Sequence, residues 1–306
     1  MSLITESLFG TENKVEKAIE TLKLFEPPEG YYVAFSGGKD SITIKELCNM
    51  AGVKYDAHYR ITSVDPPELV KYIKKYHPDV SRDFPRYKDG TIANMWNLIP
   101  KRKMPPTRIV RYCCDVLKES GGEGRLTVTG VRWAESVNRK RNQGKVTIYD
   151  PDKGTREKTE NSVNFTETPR GGAVLMNDNT ESREVIEGCY QKNKVVLNPI
   201  IDWEDEDVWE FIHARNLPYC ELYDEGYTRL GCIGCPMNTT NAEELRRYPK
   251  FRDNYIRAFQ RMIEARKAAN LKTAWQTGED VMRWWLAEDK DKDRPLEGQI
   301  EIGEEK

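Results

Sequence analysis

The chain is poor in histidine, with only His58, His77 and His213 among 306 residues. They stand apart, with no metal-ligand spacing and no partner motif, so no chemistry is assigned to them. Long apolar runs are also missing. Nothing approaches the length that spans a bilayer. From Met1 to Ala18 there is no basic stretch followed by an apolar one. Neither a membrane protein nor a signal peptide is expected, and a cytoplasmic location follows. Hydrophobic residues are 38% of the chain and charged ones 32%, which agrees. A strong excess of one charge is absent too: the formal net charge of −2 excludes a general polycation. No internal repeat is visible.

What is present starts with seven cysteines, an odd number in a chain without an export signal. A disulfide framework is not expected in a reducing compartment, so metal binding or redox chemistry is the better explanation. The charge is also uneven. Residues 243–272 carry nine Lys/Arg against four Asp/Glu, and residues 288–306 carry eight acids against four bases. This reads as a solvated helix face and a disordered acidic tail, or as a basic helix that binds a polyanion.

Strand and helix patterns alternate. Residues 11–26 have helical spacing, and Tyr31 to Phe35 is a buried strand. A helix runs from Ile42 to Ala51 and stops at Gly52, and a strand covers about 54–62. Pro66-Pro67 opens a further helix. Arg125 to Gly130 is a strand, Trp133 to Arg139 a helix, and Val195 to Ile201 a strand. Glu204 to Arg215 is a helix with Asp202 as its cap. This order predicts an α/β fold, a parallel twisted sheet with helices on both faces. Residues 140–190 are polar, with one weak strand at Val146 to Tyr149, and read as a surface insertion. Residues 241–290 read as a C-terminal helical cap with Leu245, Tyr248, Ile256, Phe259 and Ile263 on one stripe. Trp275, Trp284 and Trp285 are expected to pack that cap onto the sheet. The expected division is a nucleotide-binding domain over 1–240, the cap over 241–290, and an acidic, disordered tail over 291–306.

The chemistry starts at Ser36-Gly37-Gly38-Lys39-Asp40-Ser41, directly after the buried strand and before a helix. Two glycines let the backbone turn tightly and bring its N–H groups to an anion. The following helix points its positive end at the same place. Lys39 adds a mobile charge, Ser36 and Ser41 add hydroxyl donors, and Asp40 is placed to orient Mg²⁺ or cap the helix. The spacing is not that of a Walker loop. The motif resembles the PP-loop of the ATP pyrophosphatase superfamily, an adenine nucleotide alpha hydrolase-like fold. The resemblance implies ATP binding. In the ATP-using members, AMP passes to an acceptor oxygen, pyrophosphate leaves, and nitrogen or sulfur then displaces the adenylated oxygen.

Cys113-Cys114 and, far downstream, Cys232-Ile233-Gly234-Cys235-Pro236 form a second constellation. The C-x2-C closed by Gly and Pro is a tight thiolate knuckle suited to a metal. A [4Fe–4S] cluster, zinc and reduced structural thiols are the three uses of such a set, and adjacent cysteines favour two irons over one zinc. With the PP-loop, this pattern resembles the phosphoadenosine phosphosulfate (PAPS) reductase family, in whose cluster-containing members the four cysteines hold a [4Fe–4S] cluster. Three segments agree: Gly130-Val131-Arg132 with Arg139 following, Asn198-Pro199-Ile200-Ile201-Asp202-Trp203 with Asp207-Val208-Trp209, and Leu217-Pro218-Tyr219 with Leu222-Tyr223 and Gly226-Tyr227. The family's reductases end in a Glu-Cys-Gly-Leu-His motif. Here no cysteine follows Cys235, which turns the expectation from sulfite formation toward ATP chemistry.

The remaining candidates are single residues. Asp65, at the end of the second strand, is a ligand of Mg²⁺ or ribose, or a helix cap. Arg132 is assigned to the nucleotide, and Arg108, Arg111 and Arg139 are candidate phosphate contacts. Cys189 and Cys220 are candidate persulfide carriers, with Cys189 expected to be exposed, whereas Cys48 reads as a core thiol. The leading expectation is an iron–sulfur PP-loop enzyme that uses ATP and Mg²⁺ to activate an acceptor for sulfur transfer. Family members without the reductase tail make a nucleic-acid acceptor a fair expectation. The basic stretch at 243–272 and Lys101-Arg102-Lys103 suit a phosphate backbone. A sulfur-donor protein such as a cysteine desulfurase would be a partner. Two alternatives stand beside it: a sulfonucleotide reductase acting on PAPS or adenylyl sulfate, and a non-catalytic nucleotide or redox sensor.

Overall fold

The computed structural model describes residues 3–7 and 10–286. A hairpin of β1 (Ile4–Ser7) and β2 (Gly10–Asn13) leads into α1 (Lys14–Leu24). The helix expected over 11–26 therefore begins later. Asn13 caps it, its side-chain oxygen accepting from Val15 N at 3.0 Å. The strand–helix alternation then appears as β3 (Tyr31–Ala34), α2 (Lys39–Ala51), β4 (Tyr55–Arg60), α3 (Pro67–Tyr76) and β5 (Ser81–Asp83). Gly52 ends α2 in the left-handed conformation, as a C-terminal glycine does. Next come α4 (Met95–Arg102), α5 (Tyr112–Leu117), β6 (Thr127–Val128) and α6 (Val137–Asn142). The helix expected over 133–139 is broken, because Ser136 takes an extended conformation and caps α6 by accepting from Arg139 N.

Residues 140–190 correct the expected surface insertion. They form β7 (Val146–Tyr149), α7 (Lys153–Glu160), β8 (Phe165–Glu167), β9 (Ala173–Leu175) and α8 (Thr180–Cys189). The three strands join the main sheet, because Val146, Ile148, Phe165, Ala173 and Leu175 bury their side chains. Then follow β10 (Lys194–Leu197), α9 (Asp205–Ala214), α10 (Asn241–Arg247), α11 (Pro249–Ala268) and α12 (Gly278–Leu286). Asp202 does not cap α9. It pairs with Lys17 at 3.3 Å, while Asp207 accepts from Glu204 N at 2.8 Å.

The chain divides into two compact units: Met1–Tyr59, Glu68–Asp83 and Gly121–Leu230 in the first, and Arg60–Pro67, Phe84–Ser120 and Gly231–Lys306 in the second. The expected 1–240 block is thus not one piece, since residues 60–67 and the segment 84–120 that holds α4 and α5 group with the C-terminal helices.

The sheet has the order β5-β4-β3-β6-β10-β7-β9-β8. Its middle is parallel: Val33 of β3 pairs with Ala57 of β4 on one side and Val128 of β6 on the other, and β6 pairs with β10. The extension through β7, β9 and β8 is antiparallel. With its flanking helices, this is the α/β architecture read from the sequence. Val33, Val128 and Leu197 are fully buried, as central parallel strands require.

The second unit has its own core. Leu98 and Ile99 of α4 join Tyr255, Phe259 and Met262 of α11 and Trp285 of α12. Leu245, Phe259 and Ile263 of the expected stripe are buried. Trp275 and Trp285 close this core, with the Trp285 indole donating to the Pro106 carbonyl at 2.7 Å. The expectation that the tryptophans serve the sheet is corrected accordingly. No helix among the described residues is long and apolar enough to cross a membrane. The expected acidic tail over 291–306 lies outside the described residues.

Candidate functional site

The Ser36–Ser41 loop sits where the sheet changes direction. The chain runs from β3 through α2 to β4 on one side, and β6 lies on the other side of β3. Crevices at the carboxyl ends of such strands are where α/β sheets take ligands. Gly37 has φ +75°, a conformation that other residues adopt only with strain, and a side chain there would run into Leu69 and Ile73. Gly38 precedes the first turn of α2 without a side-chain cap. Ser41 Oγ donates to the Gly38 carbonyl at 2.8 Å, and Ser36 Oγ to Ser41 Oγ at 3.3 Å. The two hydroxyls thus brace the loop. Gly130, after β6, packs against Asp40 so closely that an added Cβ would lie 2.8 Å from the Asp40 Cβ and carbonyl oxygen.

Lys39 is not the mobile cation expected. It is 4% exposed, and its Nζ donates to the Thr228 carbonyl at 2.8 Å and to Asp205 at 3.3 Å. Its backbone N–H donates to the Tyr223 hydroxyl at 2.9 Å. Arg132 is 1% exposed; its Nε donates to Asp40 at 2.8 Å, and its other donors reach Asp205 and the Trp203 carbonyl. Asp40 is thus an ion-pair partner rather than a helix cap. Burial works against charge on Asp205, but hydrogen bonds and charge from Arg132 and Lys39 outweigh it and hold its pKa down. Two cations and two carboxylates balance each other beside the loop. Arg139 does not join them. It pairs with Glu135, and burial lowers its pKa.

Asp205, Tyr223, Thr228 and Trp209 are the residues that sequence reading left without a role. Tyr223 and Trp209 stood in the resembling segments, but only their approach to Lys39 gives them a purpose. The Lys39 ammonium lies 5.9 Å from each of the two ring centroids.

The four cysteines all belong to the second unit, as does Asp65. Cys113 and Cys114 start α5. Cys232 and Cys235 form the expected knuckle, closed by Cys235 N donating to the Cys232 carbonyl at 3.2 Å. Gly234 has φ +71° and presses on Leu245, so only glycine fits there without strain. The C-terminal helices hold the knuckle: Gly234 N donates to Glu244 at 3.0 Å and Tyr255 OH to the Ile233 carbonyl at 3.0 Å. Ile233 N donates to the Val64 carbonyl at 2.8 Å, and Cys232 Sγ lies 3.8 Å from Thr62 Oγ1. Asp65 accepts from Thr62 N at 3.2 Å and so braces the turn before α3.

The thiols feel one another. The hydrogen bond with Cys114 and then burial raise Cys113, with charge on Cys232 and Cys235 adding to the effect. The same hydrogen bond, helped by Arg111, lowers Cys114. Burial pushes Cys232 up to about 11. Arg111 Nη2 donates to Cys114 Sγ at 3.4 Å, so its side chain is engaged at a thiol, and Arg108 is exposed. By residue type, this set of four thiols that influence one another, with a guanidinium on one of them, suits a thiolate-bound group. Among the described residues, no group of three or more His, Cys, Asp or Glu is placed so that it could hold a metal ion.

The other three cysteines are buried. Cys189 is 3% exposed and Cys220 0%. Burial pushes Cys48 and Cys189 up to about 12 and raises Cys220. Neither Cys189 nor Cys220 suits the expected sulfur carrier, because a persulfide carrier needs access and a ready thiolate.

Residues 30–238 match the phosphoadenosine phosphosulfate reductase domain. An uncharacterised protein of Methanocaldococcus jannaschii is 26% identical over 238 residues, which cover 74% of this chain and 47% of the relative. The chain spans about half the length of the archaeal relatives that it matches. The adenosine 5'-phosphosulfate reductase of Oceanobacillus iheyensis is 46% identical over 48 residues, 16% of this chain and 20% of that protein. The phosphate complex of PAPS reductase from Candida auris superposes with a TM-score of 0.39 at 14% identity, covering 71% of this chain and 88% of that one.

Proposed function

The chain belongs to the phosphoadenosine phosphosulfate reductase domain family, and on that premise we propose that it is an enzyme that holds ATP at Ser36–Ser41 and activates an acceptor for sulfur transfer. One observation carries this reading: a Gly-Gly turn and helix start at the sheet's direction change, with Lys39, Arg132, Asp40 and Asp205 gathered beside it. An acceptor oxygen attacks the α-phosphorus, a new P–O bond forms, and the bond to pyrophosphate breaks. The loop N–H groups stabilise the charge on the departing pyrophosphate, and Lys39 joins them by exchanging its bonds to Asp205 and the Thr228 carbonyl for the phosphate. Ser36 and Ser41 hold the turn in shape. Mg²⁺ would arrive with the nucleotide, and Asp40 and Asp205 supply the carboxylate oxygens that suit it. A sulfur nucleophile then attacks the acceptor atom that carries the activated oxygen; the bond from that atom to the oxygen breaks, and AMP leaves with the oxygen.

Cys113, Cys114, Cys232 and Cys235 would hold a [4Fe–4S] cluster, which supplies electron transfer or a labile sulfide. A nucleic acid is the proposed acceptor, supported by Lys250, Arg257, Arg261 and Lys267 exposed on α11. A cysteine desulfurase is the proposed sulfur donor. A second reading, reduction of adenylyl sulfate or PAPS to sulfite, draws support from the local identity to adenosine 5'-phosphosulfate reductases.

One assay separates them. Anaerobic protein with ATP, Mg²⁺, an oligonucleotide and a desulfurase releases pyrophosphate under the first reading. Sulfite from adenylyl sulfate or PAPS with thioredoxin, and no pyrophosphate from ATP, selects the second. Ser36→Ala weakens nucleotide binding by about tenfold under either, the worth of one hydrogen bond that holds the loop in its binding shape. An unchanged affinity sinks the loop assignment.

A further inference from the structure

The backbone N–H of Lys39 is the kind of donor that a helix start offers to a phosphate oxygen. It donates to the Tyr223 hydroxyl at 2.9 Å. The same hydroxyl lies 3.4 Å from where a Cβ on Gly38 would stand, so it lies over the Gly-Gly turn itself. The side chain of Lys39 is engaged from the same segment, through the Thr228 carbonyl. Tyr223 is not there by chance of a floppy loop. It ends a short 3-10 turn, Glu221–Tyr223, closed by Tyr223 N donating to the Cys220 carbonyl at 3.1 Å. Gly226 N donates back to the Tyr223 carbonyl at 3.1 Å. The ring stands edge-on to Trp209 at 5.0 Å and to Tyr219 at 6.3 Å.

We propose that Tyr223 is a built-in competitor for the phosphate loop: its hydroxyl occupies a phosphate-oxygen position at Lys39 N–H, and a nucleotide must displace it. This rests on reading Ser36–Ser41 as the phosphate site. A neutral phenol accepts a weaker hydrogen bond than a phosphate oxygen, whose charge roughly doubles the strength of such a bond. Phosphates therefore win the N–H, and neutral groups do not. Tyr223 thus acts as a specificity-determining residue, favouring ligands that bring an anionic oxygen to the Lys39 N–H over those that bring a neutral one. Burial raises the phenol's pKa, so it stays a neutral group.

Calorimetry with inorganic pyrophosphate and with Mg-ATP tests this on the full chain, wild type against Tyr223→Phe. The variant keeps the ring and its packing and loses only the hydroxyl. Removing the competitor should tighten pyrophosphate binding roughly three- to tenfold, the range of one ordinary hydrogen bond. The Lys39 amide should exchange faster in the variant and become protected again with pyrophosphate. In the wild type, pyrophosphate should give a tyrosine ultraviolet difference spectrum that the variant lacks. Equal or weaker binding by the variant overturns the proposal, as does a wild type without the tyrosine signal. A wild type that binds neither pyrophosphate nor Mg-ATP overturns the phosphate-loop reading instead.

Discussion

The buried guanidinium of Arg132 divides its donors among Asp40, Asp205 and the Trp203 carbonyl, so it reaches a phosphate only by giving one of them up. Its structural work is to keep two carboxylates together beside the loop. His77 shows a different single-residue effect. It is buried against Phe35, with ring centroids 4.8 Å apart, and its Nε2 lies 2.7 Å from the Tyr72 hydroxyl. Burial first, and Lys45 second, lower its pKa from 6.5 to about 4. The unfolded chain then takes up a proton near the ordinary value, and the folded one only near pH 4. The stability is fully present above pH 6.5 and is lost as pH falls through that window, by about 3 kcal/mol at its end. Urea unfolding should show His77→Gln losing less stability than wild type between pH 7 and 5, by about 2 kcal/mol. Parallel losses in the two proteins would remove His77 from the account.

At the scale of elements, the contact between the segment after β6 and the first turn of α2 sets the loop's position. Gly130→Ala would place a methyl group 2.8 Å from the Asp40 carbonyl oxygen, and backbone has little room to yield. We expect a loss of about 1–3 kcal/mol of stability, the usual cost of overpacking, together with weaker nucleotide binding. Thermal unfolding and calorimetry check both, and a fully stable variant with normal affinity would show that α2 can shift freely. The same scale explains the missed strands of residues 140–190. β8 and β9 are three residues each, too short for alternation to stand out from a polar background. The broken helix at 133–142 was hidden for a similar reason, since one extended residue, Ser136, leaves little trace in a periodicity.

At the scale of the whole molecule, the two units hold the two candidate sites. The loop and its charge balance belong to the sheet unit, and the four cysteines belong to the helical one, positioned by α10 and α11. Anaerobically isolated protein should contain iron and acid-labile sulfide in equal amounts and absorb broadly in the visible. Cys235→Ser should lose most of that iron while binding Mg-ATP within about twofold of wild type, a difference under 0.5 kcal/mol. Colourless protein carrying zinc would exclude the cluster.

Local sequence alone determined the buried strand, the Gly-Gly turn, the helix after it and the cysteine knuckle, because each is a contiguous run whose backbone and side-chain demands are written in neighbouring residues. Even there, the tertiary structure changed the roles. Lys39 meets Tyr223 across 184 positions and Arg132 meets Asp40 across 92, and no pattern within a strand or helix encodes such a meeting. It took the packed sheet to turn a mobile lysine into a buried, paired one and to put the Tyr223 hydroxyl on the Lys39 N–H. The helical unit likewise needed its assembled core to bring Cys113 and Cys114 to Cys232 and Cys235. The physical reason is that charge pairing and burial are properties of space, and only the folded chain decides which residues share it.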